Sequence, residues 1–350
     1  LPARPDSMPF RNTRERDRLL HVGFVSGDFR NHALANFIQS FLSYLSAQAD
    51  LCLHAYYNHH INDSVTEIIK EKFQHWTTVY AMSTTDLFYK IQNDNIDILV
   101  DLSGHTAQNR LPLFGMKPAP IQISGMGYPG TTGLSAMDYY FTDKEYFPYE
   151  IFSWQFTEKL IYLPKAGTFS PTAVSPEVNF LPAHKNGFFT FGSFNRANKI
   201  NIEMITVWAA ILKTLPNAHF LIGGLGGDDE IQKISDVFGR EGIQRERLSF
   251  HLRCTMYDYM ALHNQVDMCL DTFPYNGGTT TLYALWMGVP TVTLSGLTPA
   301  SRTGAQIMGH MRMPEFAVDS VDAYIERALT WTNNLPTLAA LRPLLRDAMT

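Results

Sequence analysis

The chain has 350 residues, 45% of them apolar and 13% aromatic, enough for about two domains with packed cores. Its 28 basic and 33 acidic side chains leave a net charge of −5 with no basic run, which argues against nucleic acid or an anionic membrane as the main partner. No apolar run reaches the ~18 residues of a spanning helix, and the polar start has no apolar core of the kind a signal peptide needs. Three cysteines, Cys52, Cys254 and Cys269, lack metal-ligand spacing and read as small buried thiols in a reducing, cytoplasmic setting. The absence of an initiator Met points to a fragment or a processed product.

After an N-terminal extension (1–20), a first α/β domain is expected over 21–165. His21–Ser26 reads as its first strand. A helix is predicted from about Asn31-His32, with Leu34, Phe37, Ile38, Phe41, Leu42 and Leu45 on one face. Strands are predicted at Leu53–Tyr57, Ile96–Leu102 and Ile121–Ser124, and short helices at Glu67–Phe73 and Thr84–Ile91. This alternation implies a parallel sheet whose ligands sit beyond the C-terminal strand ends. Proline-rich residues 166–186 form the expected linker to a second domain, 187–350. There the pattern repeats: strands near 188–194, 219–222, 248–252, 268–270 and 291–294, and helices near 202–215, 230–239, 257–264, 301–308, 321–331 and 338–349.

The best-defined unit is Cys269–Gly296, CLDTFPYNGGTTTLYALWMGVPTVTLSG. A buried strand ends at Asp271, a loop carries Asn276-Gly277-Gly278, and Thr279-Thr280-Thr281 opens a helix that Gly288-Val289-Pro290 stops. A helix start offers unpaired N–H groups and partial positive charge, so this turn can hold a diphosphate. An ordinary turn with a threonine cap would look the same. Strand, Gly-Gly turn, helix and second strand together are the order found in the nucleotide-sugar half of GT-B glycosyltransferases.

Asn195-Arg196 and Lys199 follow the preceding strand, where either cation can neutralise a leaving diphosphate; a solvated surface lysine is the bland alternative. In Asp28-Phe29-Arg30-Asn31-His32, Asn31 can cap the helix and leave His32 in its first turn, placed as a general base or simply bonded to backbone. His105, in Ser103-Gly104-His105-Thr106, ends another strand and is a second candidate base, and Gly127–Gly133 is a rigid turn whose N–H groups can face a sugar. Gly223–Gly227 does not fit a dinucleotide fingerprint. Asp94/Asp97 and Asp228/Asp229 read as solvated turn acids and His59-His60 as loop, so no metal site is expected.

Four segments, HVGFVSGDFRNH, DILVDLSGHTAQNRLPLFGMKPAPIQISGMGYPGTTG, FFTFGSFNRANKI and LDTFPYNGGTTTLYALWMGVPTVTLSG, together resemble the catalytic region of the protein O-GlcNAc transferase and SPINDLY family. The resemblance runs from about His21 to the end and is closest to bacterial SPINDLY-like members. It implies a GT-B fold, two Rossmann-like domains facing across a cleft, and inverting, metal-independent transfer of GlcNAc, fucose or another hexose to Ser/Thr of a protein. The implied donors are UDP-GlcNAc or GDP-fucose, and tetratricopeptide repeats are implied upstream. His32 matches the family histidine proposed as base, and Lys199 the lysine on the diphosphate. Asn195, Arg196, Tyr259, Asn276, Gly277, Gly278, Thr279, Thr280 and Thr281 fall on the donor side, and Asp28, His105, Thr106, Gly127 and Pro129 on the sugar and acceptor side.

There are departures. Gly278 replaces a histidine, Tyr283 a ribose-binding aspartate, Tyr259 a histidine that stacks on the base, and Met256 a lysine that helps recognise uracil. A sugar-nucleotide epimerase or hydrolase, or a non-catalytic binding module, would use the same fold.

Overall fold

The computed structural model describes residues 9–148, 152–165, 169–171 and 174–349; parts of the expected extension (1–20) and linker (166–186) lie outside them. The chain divides between residues 172 and 173 into two compact units.

The first unit holds β1 (Leu20–Ser26), α1 (Ala35–Ser46), β2 (Leu51–Tyr57), α2 (Ser64–Lys70), β3 (His75–Thr78), α3 (Thr84–Asn93), β4 (Ile98–Asp101), α4 (Leu111–Gly115), β5 (Ile121–Ser124), β6 (Tyr139–Thr142) and β7 (Lys159–Tyr162). Its seven strands lie in the order β3-β2-β1-β4-β5-β6-β7, every neighbour parallel. The central strands are apolar because helices cover both faces. Phe24, Leu53 and Val100 pack with Ile38 and Leu42 of α1 on one side, and Leu99 with Leu87, Phe88 and Ile91 of α3 on the other.

Helix α1 begins at Ala35, later than the start expected near Asn31-His32. Phe29 is fully buried against Tyr57, Phe73 and Trp76, and the Asn31 N–H goes to the Asp63 carboxylate at 2.8 Å. The chain is therefore held in turns through 31–34, and His32 precedes the helix instead of lying in its first turn.

Asp97 is not a solvated acid. Burial opposes its ionisation, but hydrogen bonds from Arg18 (2.7 Å), the His21 N–H (3.0 Å) and Asn12 (2.7 Å) outweigh it and lower its pKa. Asp94 bonds Tyr56 and Lys90.

The second unit holds α5 (Pro182–Asn186), β8 (Thr190–Ser193), α6 (Ile202–Thr214), β9 (His219–Leu225), α7 (Asp228–Arg240), β10 (Leu248–Leu252), α8 (Met256–Leu262), β11 (Met268–Leu270), α9 (Thr279–Trp286), β12 (Thr291–Leu294), α10 (Thr303–His310), β13 (Ala317–Val318), α11 (Val321–Thr332), α12 (Leu335–Leu341) and α13 (Leu344–Asp347). Its sheet order is β10-β9-β8-β11-β12-β13. Counted within each unit, both sheets start 3-2-1-4-5-6, the Rossmann order, so each reverses direction between its first and fourth strands.

The helix expected over 338–349 is two pieces, because Pro343 has no N–H to donate to the preceding turn. Arg342, at that break, is buried. It donates to the carbonyls of Asn179 (2.9 Å), Val266 (2.9 Å) and His263 (3.2 Å) and to Asn179 Oδ1 (2.7 Å). Burial brings its pKa down to about 10, so it remains charged at neutral pH. Cys52 and Cys269 are buried, but Cys254 is exposed just ahead of α8, contrary to the expectation of three buried thiols. No helix among the described residues is long and apolar enough to cross a membrane.

Candidate functional site

Ligands of Rossmann sheets gather where the strand order reverses, beyond the strand ends. In the second unit those ends are the loops after β8 and β11. Asp271, directly after β11, is buried and organises both. It accepts from the N–H groups of Thr272 (2.8 Å) and Gly277 (2.7 Å), from the Thr293 hydroxyl (2.8 Å) and from Asn195 Nδ2 (3.4 Å). Burial raises its pKa to about 6, against the pull of the Gly277 and Thr293 bonds and the nearby Lys199.

The turn is tight by construction. A Cβ on Gly277 would stand 2.5 Å from Thr280 Oγ1 and 2.7 Å from Thr281 Oγ1. Gly278 brings no side chain to the first N–H groups of α9, and Thr279 and Thr280 are half-buried there. Asn195 Oδ1 takes the Thr280 hydroxyl at 3.0 Å, which ties the two loops together. Thr281 is buried and turned inward, lining a small cavity with Ser193, Phe194, Asn195 and Asp271. Asn276 is also buried; its side chain donates to the carbonyls of Thr272 and Leu294, and its own carbonyl accepts from Lys199 Nζ at 2.7 Å.

Lys199 is half-buried, with its ammonium 3.8 Å from the centre of the Tyr275 ring. Burial lowers its pKa, while the charge of Asp271 works the other way. The result is a partly desolvated cation beside an uncapped helix start, a donor set suited to a phosphate-like anion. Arg196 is exposed at the same loop. Tyr259 is half-buried and meets Phe194 and Tyr283 edge-on, at 5.6 and 5.9 Å between centroids. Tyr283 itself is buried, and Met256 is exposed at the start of α8.

In the first unit the loops after β1, β4 and β5 come together. Asp101 ends β4 and accepts from the N–H groups of Ser103 (3.1 Å) and Gly104 (3.0 Å) and from the Ser124 hydroxyl (2.9 Å). His105 is exposed, edge-on to Tyr128 and 3.2 Å from the Thr131 carbonyl; Thr106 bonds back to the Ser103 carbonyl. Gly127 passes so close that a Cβ there would lie 1.8 Å from the Leu102 carbonyl oxygen, and Pro129 follows in the same half-buried turn.

Asp28 is buried, with Arg30 at 3.3 Å and His32 Nδ1 at 3.6 Å. The Leu34 N–H also reaches His32 Nδ1 at 3.3 Å. These partners favour opposite tautomers: Asp28 favours a proton on Nδ1, and the Leu34 N–H favours a lone pair there. Sequence reading gave Asp101 and Asp271 no role. Their common signal was a single acid closing an otherwise apolar strand.

The sequence profile of glycosyl transferase family 41 matches residues 4–170 and 181–349. A rice protein named as a probable UDP-N-acetylglucosamine–peptide N-acetylglucosaminyltransferase SPINDLY is 33% identical over 99% of this chain and 38% of its own length. The petunia protein of the same name is 31% identical over 97% of this chain and 37% of its own. The chain thus spans less than two-fifths of these plant relatives. A point mutant of the O-GlcNAc transferase of Thermobaculum terrenum superposes with a TM-score of 0.87 at 32% identity, covering 95% of this chain and 64% of that one. Anabaena Alr3699/HepE, solved with UDP and glucose, shares the fold at 10% identity and a TM-score of 0.56, over 94% of each chain. The paired Rossmann-like units are of the GT-B class. This chain, similar to these SPINDLY and O-GlcNAc transferase relatives, belongs to glycosyl transferase family 41, a family of glycosyltransferases.

Proposed function

We propose that this chain is the catalytic region of a protein glycosyltransferase that moves a sugar from a nucleotide diphosphate sugar to Ser or Thr hydroxyls, with inversion and without a metal. The observation that carries the reading is Lys199 beside the Gly277–Thr281 helix start. The diphosphate binds the first N–H groups of α9 and the hydroxyls of Thr279 and Thr280. Lys199 meets the charge that grows on the phosphate as the bond to the sugar breaks, the charge neutralisation a metal would otherwise supply. Asn195 steadies Thr280, Asn276 holds Lys199, Arg196 adds a second cation, and Tyr259 offers an aromatic surface to the nucleotide base.

The first unit takes the sugar and acceptor, with His105, Thr106, Gly127 and Pro129 along the sugar. His32 accepts the hydroxyl proton on Nε2 in the tautomer that points Nδ1–H at Asp28. UDP-GlcNAc is the favoured donor, as in the names of the plant relatives. GDP-fucose is the second candidate, because Met256 and the buried Tyr283 stand where the family's uracil and ribose contacts are expected. Tetratricopeptide repeats upstream, to present acceptors in the cytoplasm, complete the reading; the chain's short share of its relatives leaves room for them.

The test begins with melting curves in UDP, GDP, UDP-GlcNAc and GDP-fucose, followed by mass spectrometry of acceptor peptides incubated with the stabilising donor. One nucleotide should raise the melting temperature, and its sugar should appear on Ser or Thr with its anomeric configuration inverted by NMR. Isomerised or free sugar without acceptor would make the chain an epimerase or hydrolase, and binding with no turnover would make it a binding module.

A further inference from the structure

Among the described residues, His21, Cys52 and His54 form a group whose ligand atoms all lie within 4.8 Å of one another. They come from the first half of β1 and β2, with His54 midway along β2, and the parallel register sets His21 beside Cys52 and Gly23 beside His54. Side chains two apart on a strand share a face, so Cys52 and His54 point the same way. His21 Nδ1 lies 2.9 Å from His54 Nε2, and Cys52 Sγ lies 3.5 Å from the same nitrogen. Cys52 and His54 are buried and His21 is half-buried.

We propose that these three side chains are a binding site for Zn2+ or an ion of similar softness. Two imidazoles and a thiol are the ligand set of a borderline metal, not of Mg2+ or Ca2+, which seek oxygen. Zinc bonds of about 2.0–2.1 Å to nitrogen and 2.3 Å to sulfur put tetrahedral neighbours roughly 3.3–3.6 Å apart. The Cys52 Sγ–His54 Nε2 distance already fits, the two nitrogens need to part by a few tenths of an ångström, and Cys52 Sγ and the His21 nitrogen, within 4.8 Å of each other, close on the ion.

The ring of His75 on β3 stacks on His54 at 4.4 Å and fixes its plane without joining the group. In the metal-free chain the two imidazoles share an N–H···N bond. Binding removes it: whichever ring holds that proton moves it to its other nitrogen, and Cys52 releases its thiol proton to solvent. The fourth position goes to water.

His21 and Cys52 lie one residue into their strands and His54 three residues in, whereas the loops at 27–32 and 103–110 follow strand ends. The metal therefore fastens β1 to β2 and takes no part in sugar transfer.

Co2+ is the probe. The full chain, stripped with EDTA and kept reduced, should take up one equivalent with a thiolate-to-Co2+ charge-transfer band, and Zn2+ should displace it. Cys52→Ser should abolish the band, His54→Ala should weaken Co2+ binding at least tenfold, and Cys254→Ser should leave it unchanged. Zn2+ should raise the melting temperature of the parent but not of Cys52→Ser. His21→Asn, at a half-buried strand start, repeats the comparison if Cys52→Ser folds poorly, and should also bind at least tenfold more weakly. Absence of the band at stoichiometric Co2+, its survival in Cys52→Ser, or its loss in Cys254→Ser would overturn the site.

Discussion

Asp101 and Asp271 occupy the same place in the two sheets. Each stands at the end of the fourth strand of its unit's order, Asp101 as its last residue and Asp271 as the one after, is buried, and accepts two loop N–H groups and one hydroxyl from the next strand, Ser124 on β5 or Thr293 on β12. Burial raises both carboxyl pKa values. The surroundings differ. Beside Asp271 stand Lys199 and the start of α9, whereas the loop that Asp101 holds closes back through Thr106 and leaves His105 exposed. The buried acid is thus common scaffolding, and the cation and open helix start beside Asp271 are what the proposed anion seat rests on.

The largest expected effect separates scaffold from seat. Lys199→Ala should lower sugar transfer by about 10²–10³-fold, the cost of removing one group that meets developing charge, while the melting temperature stays close to the parent. Turnover within tenfold of the parent would remove Lys199 from the mechanism.

The second prediction compares the acids through pH. The folded pKa of Asp271 is raised to about 6 from an ordinary value near 4, so the folded chain holds a proton that the unfolded chain has lost. Its contribution to stability is greatest below pH 4 and is lost as pH rises through 6. Denaturant titration should show the parent losing up to about 3 kcal/mol relative to Asp271→Asn between pH 4 and 7. Asp101→Asn should show a difference of the same sign. A pH-independent difference would mean that Asp271 ionises normally in the fold.

The smallest effect sharpens the turn itself. Gly277→Ala forces a methyl group against two threonine hydroxyls and should weaken donor binding about tenfold, or about 1.4 kcal/mol. At Gly278 the nearest atom to a new Cβ is Thr303 Cγ2 at 3.5 Å, so Gly278→Ala should bind donor like the parent. Equal affinities in calorimetry for the two variants would show that the donor does not use this turn.

Much of this was legible in the sequence where burial leaves an apolar signature. The central strands β1, β4, β11 and β12 read correctly because both faces are covered. The short β3, β6, β7 and β13 were not read. His75–Thr78 and Lys159–Tyr162 are largely exposed or half-buried, and their mixed residues carry no clean period. Lys199, Gly277 and Thr280 stood out because each follows a readable strand. The His21, Cys52 and His54 group stayed hidden because the register between two strands, not spacing along one, brings it together. The turns before α1 escaped because Phe29 and Asp63 act from outside that segment.

Arg342 bears on how far this chain can be shortened. The last helices are tied into the second unit through this side chain. A cut ahead of residue 342 would leave the His263 and Val266 carbonyls without this donor in a dry interior, at about 1–3 kcal/mol each. Arg346 adds a second tie, bonding the carbonyls of Trp286 and Pro176. A trimmed version for crystallisation or fusion should therefore end after residue 346.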